Sequence, residues 1–329
     1  MADACMYVAN SSATACPAEI HLQPQVQAVA ELRLFVYRNE VPVRSQVQRD
    51  RRVVFLTGAS RGVGRDAAIR LAQRGWDLAL VARSQTELQA TADLCTVHGV
   101  RVKTYALDVA NFDALENAIH DCVESLGNIN VLINNAGVNR RRSSLVSSRE
   151  VWNQVMDINL GACMHATRTT LPYMQQNGSG SVIFISSIGT YNLAQSRALR
   201  LARCSLVLVL HTVVVQPGVG GSATYYASKW GLLGFAACVY EDVRHLGIKV
   251  SCICPGLINN DMGTRSGPAS FLPPKDLIQN EDVTDSIEYV MNSSPRACPS
   301  RIILFPQKQV ITSMRKMLAD CEEAPRSRL

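Results

Sequence analysis

The chain lacks an apolar run long enough to cross a bilayer. Its longest, Leu206–Val215, spans ten residues and contains His211 and Thr212, whereas a membrane helix needs about 20. No membrane span is expected. Also missing are Cys-x-x-Cys pairs and any Cys/His spacing of the zinc-binding kind, so no metal site is expected. The 11 cysteines are scattered, and the only close pair, Cys252 and Cys254, flanks Ile253 in an apolar run. They read as buried or incidental thiols of a reducing compartment. No basic stripe interleaved with aromatics accompanies the net charge of +6, so nothing argues for a nucleic-acid partner. The first fifty residues contain five acids (Asp3, Glu19, Glu31, Glu40, Asp50), few serines and no apolar h-region. They match neither a secretory signal nor a transit peptide. A cytoplasmic location is expected, and residues 1–51 read as a poorly ordered extension; an organelle address carried there stays open. Internal repeats and low-complexity tracts are absent.

What remains is a chain of 329 residues, 47% hydrophobic and 18% charged, long enough for a substantial core. From Arg52 its texture alternates. "RVVFLTG", "DLALVAR", "VRVKTYALD", "INVLINNAG", "SVIFISS", "IKVSCICPG" and "SRIILFP" read as buried strands. Helical patterns separate most of them, including one long stretch over roughly Arg149–Gln176 and another from Tyr225 to Gly247. Strands joined by single helices imply right-handed crossovers and a parallel sheet covered on both faces. The expected fold is α/β: a Rossmann-type, doubly wound parallel sheet forming one domain over residues 52–306. A short charged tail follows, 307–329.

"TGASRGVG", Thr57–Gly64, lies between the first strand and the first helix. Gly58, Gly62 and Gly64 permit the turn, and with Ser60, Arg61 and Val63 they bring backbone N–H groups to a pyrophosphate at a helix N-terminus. The spacing is TGxxxGxG. Together with "NNAG" (Asn134–Gly137), "YYASK" (ending at Lys229) and "PG" (Pro255, Gly256), it makes the chain resemble the short-chain dehydrogenase/reductase family. Within that family the likeness is to 3-oxoacyl-(acyl-carrier-protein) reductases. The motifs cover most of the chain in the expected order.

The resemblance implies a nicotinamide cofactor, and charge argues which one. NAD-selecting enzymes usually end the second strand with an acid that binds the ribose 2′-hydroxyl; here Arg83 stands there, with Arg61 in the glycine turn. Two guanidinium groups suit a 2′-phosphate, so NADP(H) is expected, with solvated surface arginines as the alternative. By resemblance, Asp108 and Val109 flank the adenine, Asn135 and Ala136 line the adenosine side with Gly137 beside them, and Ile258 contacts the nicotinamide carboxamide. Asn260 stands where the family usually carries threonine.

The resemblance also implies the chemistry. Tyr225 and Lys229 fit Y-x-x-x-K, which puts both side chains on one helix face; Tyr226 would point elsewhere. A phenol titrating near 10 is a poor proton-transfer group at neutral pH. The expectation is that the Lys229 ammonium, with the nicotinamide charge, brings it down. Tyr225 is then the acid/base, Lys229 tunes it, Ser187 stabilises the substrate oxygen, and Asn159 holds a water relay to the lysine. Ser186 is the register alternative to Ser187. The Pro- and Gly-rich stretch Met262–Gln279 reads as a substrate loop. "NRRR", Asn139–Arg142, is a basic loop that suits either solvent or the phosphates of an acyl carrier.

One feature departs from the family, whose serine and tyrosine stand about 13 residues apart so that both hydroxyls face one carbonyl. Here Ser187 to Tyr225 is a step of 38, and omitting the 25 residues Tyr191–Val215 restores 13. The segment 191–215 therefore reads as an insertion. Its three arginines and Leu/Val alternation lack the turn chemistry of a lid, favouring retained non-coding sequence or a gene-model artefact over a functional insert. The expected activity is NADP(H)-dependent interconversion of a carbonyl and a secondary alcohol, with an acyl thioester among the candidate substrates. The alternatives are a broad-specificity carbonyl or hydroxy-acid dehydrogenase, and an NADP(H)-binding protein impaired by the insertion. Family practice implies a homodimer or homotetramer.

Overall fold

The computed structural model describes residues 52–140, 143–190, 222–264 and 273–307. The N-terminal extension, Arg141–Arg142, the segment 191–215 and most of the C-terminal tail lie outside the described residues.

Seven strands form one parallel sheet: β1 (Val53–Thr57), β2 (Asp77–Ala82), β3 (Val102–Ala106), β4 (Ile129–Asn134), β5 (Gly180–Ile185), β6 (Ile248–Pro255) and β7 (Arg301–Leu304). Their order is β3-β2-β1-β4-β5-β6-β7. The helices are α1 (Gly62–Gln73), α2 (Gln85–Thr96), α3 (Phe112–Leu126), α4 (Arg149–Met156), α5 (Ala162–Asn177), α6 (Ala223–Val243), the short α7 (Asp261–Thr264) and α8 (Asn280–Asn292).

Alternation along each strand sends side chains to two separate cores. Val53 and Phe55 join Leu115 and Ile119 of α3, Ala166 of α5 and Leu232 of α6. Val54 and Leu56 face Ala67 and Leu71 of α1, Leu88 of α2 and Val283, Ile287 and Val290 of α8. With both faces covered, the strands need no polar side, which is why they read as continuous apolar runs.

Local signals place the ends. Ser84 caps α2 by accepting from Glu87 N at 3.4 Å, and Asn111 caps α3 by accepting from Ala114 N at 3.1 Å. The long helical stretch forms as α4 and α5 joined by a wider π turn, Asp157–Gly161, centred on Asn159. Helix α8 was not foreseen. It opens with a capping box between Gln279 and Asp282 and is tied to α1 by Arg70 with Asp285 and by Arg74 with Glu288 at 2.9 Å.

Candidate active site

Strand order reverses between β1 and β4, and the crevice at such a reversal opens at the carboxyl ends of the strands. There the structure has a cavity of about 690 Å³. The glycine turn forms one wall. Gly58 and Gly62 have φ of +71° and +53°. A Cβ on Gly64 would lie 2.1 Å from the Gly58 carbonyl oxygen, and one on Gly58 would lie 2.8 Å from Asn135 Nδ2. Only glycine permits this approach.

The neighbouring "NNAG" turn is fastened to it. Asn135 Nδ2 donates to the carbonyls of Thr57 and Gly58 at 2.9 and 3.1 Å, and Thr57 Oγ1 accepts from the N–H groups of Asn135 and Ala136, both at 3.1 Å. Helix α1 starts on the cavity with no side-chain cap at Arg61 and no acid in its first turn. Ser60, Arg61, Gly62, Val63 and Gly64 all line the space. A narrow glycine wall under an uncapped helix start fits a pyrophosphate.

Arg83, Asp108 and Val109 line the far end of the cavity. Arg83 Nη1 lies 4.0 Å from Asp108 Oδ2, and Arg61 Nη1 lies 3.4 Å from Asp261 Oδ2 at the start of α7. All four side chains are about half exposed, so these pairs hold weakly and exchange readily for a stronger anion. Glu87, on the first turn of α2, also borders this end.

At the other end, helix α6 presents Tyr225 and Lys229. Lys229 is 5% exposed; its Nζ donates to the Ile185 carbonyl at 2.7 Å and lies 5.9 Å from the centre of the Tyr225 ring. Ser187 stands close enough to the Tyr225 phenol to pull its pKa down, and its Oγ accepts from Gly189 N at 3.2 Å. The Ser186 hydroxyl is turned away, donating to the Lys229 carbonyl at 3.4 Å. Tyr226 packs its ring against Gly189 and also borders the cavity. Asn159 is fully buried behind the wall. Its Oδ1 accepts from Val138 N at 2.8 Å, while Nδ2 donates to the Val138 carbonyl and to Ser228 Oγ, both at 3.0 Å. A Cβ on Gly137 would be 3.5 Å from Asn159 Oδ1 and 3.7 Å from Lys229 Nζ, so a larger residue there would crowd both groups.

The electrostatics differ from the sequence expectation. Burial raises the Tyr225 pKa, with the Ser187 hydrogen bond pulling weakly the other way. Burial also lowers that of Lys229. The ammonium was expected to bring the phenol down, but its Nζ is engaged with the Ile185 carbonyl, and desolvation outweighs it.

Pro255, Gly256 and Ile258 complete the rim after β6. Gly256 N donates to the Leu304 carbonyl at 2.9 Å, where a Cβ would meet Pro306 Cδ at 2.9 Å. Asn260 Nδ2 donates to Asn280 Oδ1 at 3.4 Å, which brings the unforeseen α8 to the cavity beside Gly62. In the basic loop, Arg140 bonds Gln154 at 3.3 Å. Of the Met262–Gln279 stretch, the described part contains the end of α7 and a tight turn at Pro274–Asp276.

Comparison with known proteins places this geometry in a class. The short chain dehydrogenase family model matches residues 52–198 and 204–270, and the chain belongs to that family, whose members are oxidoreductases. The break between the two matched pieces falls inside 191–215. The 3-oxoacyl-(acyl-carrier-protein) reductase of Escherichia coli (strain K12) is 27% identical over 245 residues, 73% of this chain and 89% of that protein. The short-chain reductase protein NovJ of Streptomyces niveus is 30% identical over 210 residues, 64% of this chain and 70% of that protein. Among solved structures, levodione reductase superposes with a TM-score of 0.65 at 21% identity, covering 80% of this chain and 98% of that one. A metagenomic short-chain oxidoreductase in complex with NADP gives 0.62 at 24%, covering 78% and 98%. Carveol dehydrogenase from Mycobacterium avium in complex with NAD gives 0.64 at 22%, covering 78% and 97%.

Proposed function

We propose that this protein is an NADP(H)-dependent reductase that interconverts a carbonyl and a secondary alcohol, working as one domain over residues 52–306. The observation that carries the reading is the meeting of Ser187, Tyr225 and Lys229 in the same cavity that the glycine turn opens, with Lys229 Nζ 5.9 Å from the centre of the Tyr225 ring. When bound, the nicotinamide supplies or accepts hydride. Gly58, Gly62 and Gly64 with the start of α1 hold its pyrophosphate. Arg83 and Arg61 would hold the 2′-phosphate, and Asp108, Val109, Asn135 and Ala136 would border the adenosine. Pro255, Gly256 and Ile258 flank the nicotinamide.

Ser187 Oγ donates to the substrate oxygen and holds it against the Tyr225 hydroxyl. The phenol, kept neutral by burial, gives its proton to the oxygen as negative charge develops there. Lys229 would bond the nicotinamide ribose when the cofactor is bound, and it restores the proton to Tyr225 through the path that Asn159 supports. An acyl thioester is one substrate of this kind, and a broader range of small carbonyls is the alternative within the class. Among the described residues no helix is long and apolar enough to cross a membrane; the cytoplasmic location is part of the proposal and rests on the scattered cysteines of the sequence. Exposed Trp152 on α4 and Met164 on α5 support assembly as a homodimer or homotetramer.

A second reading, cofactor binding without turnover, is favoured by the long step between Ser187 and Tyr225. Titration with NADPH and NADH, followed by a panel of acyl thioesters, small ketones and steroids, tests both. We expect tighter NADPH binding, lost in Arg83→Ala by about 1.5–3 kcal/mol as for a hydrogen bond to a charged group. Equal affinity for the two cofactors in the natural protein would remove the NADP(H) assignment.

A further inference from the structure

Residues 191–221 part Thr190 from Ser222, and both of these are buried, at 1% and 4% exposure. A short connection would itself hold Ser187 against Tyr225. A long one does not, because closing a loop constrains its ends less as it lengthens. Some other contact must fix the serine turn, and one is visible. Arg301, the first residue of β7, donates from Nη2 to the Thr190 carbonyl at 2.7 Å and to Thr190 Oγ1 at 3.4 Å. Thr190 Oγ1 donates in turn to the Ser187 carbonyl at 2.7 Å, and Thr190 N donates to the same carbonyl at 3.0 Å. The chain of bonds runs from the sheet edge to the residue that touches the Tyr225 phenol. It passes through Thr190, the residue immediately before the long segment begins.

We infer that Arg301 is a positioning residue. Acting through Thr190, it clamps the Ser187 turn to β7 and isolates the Ser187–Tyr225 pair from the segment that follows. The inference rests on the reductase reading for its kinetic consequence but not for its structural one. Both bonds leave one nitrogen, Nη2, so the contact uses the guanidinium's reach and permanent charge from an exposed strand end, and a lysine could replace it in part.

The test compares the natural chain, Arg301→Gln, Arg301→Lys and Thr190→Val, then the natural chain and Arg301→Gln again with 191–215 deleted. Three quantities are read: amide hydrogen exchange over 186–190, NADPH affinity, and kcat with KM for a reducible carbonyl. In the full-length chain, Arg301→Gln should speed exchange at Gly189 and Thr190 and lower kcat about tenfold, since rate depends steeply on placement. NADPH affinity should not move. Arg301→Lys should recover part of the loss, and Thr190→Val should reproduce it. With 191–215 deleted, the short connection takes over and Arg301→Gln should cost under about threefold. Unchanged exchange in both Arg301→Gln and Thr190→Val would overturn the clamp. So would an equal kcat loss at both chain lengths, the mark of general destabilisation. If no carbonyl is turned over by the natural chain but exchange responds as described, the reductase reading fails and the clamp stands.

Discussion

The Ser187 hydroxyl borders the Tyr225 phenol, the acid/base group we propose, and its effect there can be read as a pH shift. Its hydrogen bond is the influence that lowers the Tyr225 pKa, while burial raises it. Ser187→Ala removes the lowering influence, so the phenol should titrate higher still. Reduction uses the neutral phenol, which is present below its pKa and lost as pH rises through it. The alkaline limb of the reductive rate should therefore move to higher pH, and the rise of the oxidative rate, which needs the phenolate, should move with it. The rate itself should fall about 10²-fold through loss of a donor to the developing oxyanion. Profiles of kcat/KM against pH in both directions check this, and a limb that moves down would contradict it. The residues concerned were legible because their spacing encodes one helix face and one strand end. The direction of the tyrosine shift was not, because it depends on desolvation by elements far apart in the chain. The choice between Ser186 and Ser187 also needed coordinates, since adjacent residues at a strand end differ only in where the turn aims them.

The glycine turn joins β1 to α1, and its stringency varies with position. Gly64→Ala should abolish cofactor binding, because its Cβ would lie 2.1 Å from the Gly58 carbonyl oxygen, a backbone atom that cannot step aside. Gly75→Ala, closing α1 at φ +77° with nothing within 4 Å of the added Cβ, should cost only the left-handed strain of about 1–2 kcal/mol. It should therefore lower the melting temperature and leave NADPH affinity intact. Calorimetry with cofactor titration separates the two, and equal affinity in both variants would count against the pyrophosphate assignment. The strands were legible because a sheet covered on both faces asks for apolar runs. Helix α8 carried its own signal in Gln279, Asp282 and the spacing of Val283, Ile287 and Val290, but it follows a Pro- and Gly-rich stretch that reads as loop. The π turn at Asp157–Gly161 had no sequence signal apart from Asn159 itself, whose amide serves the Val138 backbone and Ser228 at once.

For the whole molecule the question is how the site is held together with 37 residues between its serine and its tyrosine. The sequence shows the long step and cannot show that the two ends meet, since that meeting depends on the sheet, α6 and β7 together. Deleting 191–215 should preserve or raise both stability and activity, because it removes about ten strand-forming apolar residues of an aggregation-prone kind. A functional lid predicts lost turnover or altered substrate choice instead. A peptide spanning "LVLVLHTVVVQPG" in mass spectra of the native protein would show that the segment is translated and end the artefact reading. The central claim is proton transfer by Tyr225 in an NADPH-dependent carbonyl reduction. It is tested most directly by following nicotinamide absorbance with a reducible carbonyl in the natural protein, Tyr225→Phe and Tyr226→Phe. Turnover by the natural protein, its loss in Tyr225→Phe with NADPH affinity retained, and a mild effect in Tyr226→Phe are the predicted results. NADPH binding without turnover of any carbonyl, or equal losses in the two tyrosine variants, would contradict the claim.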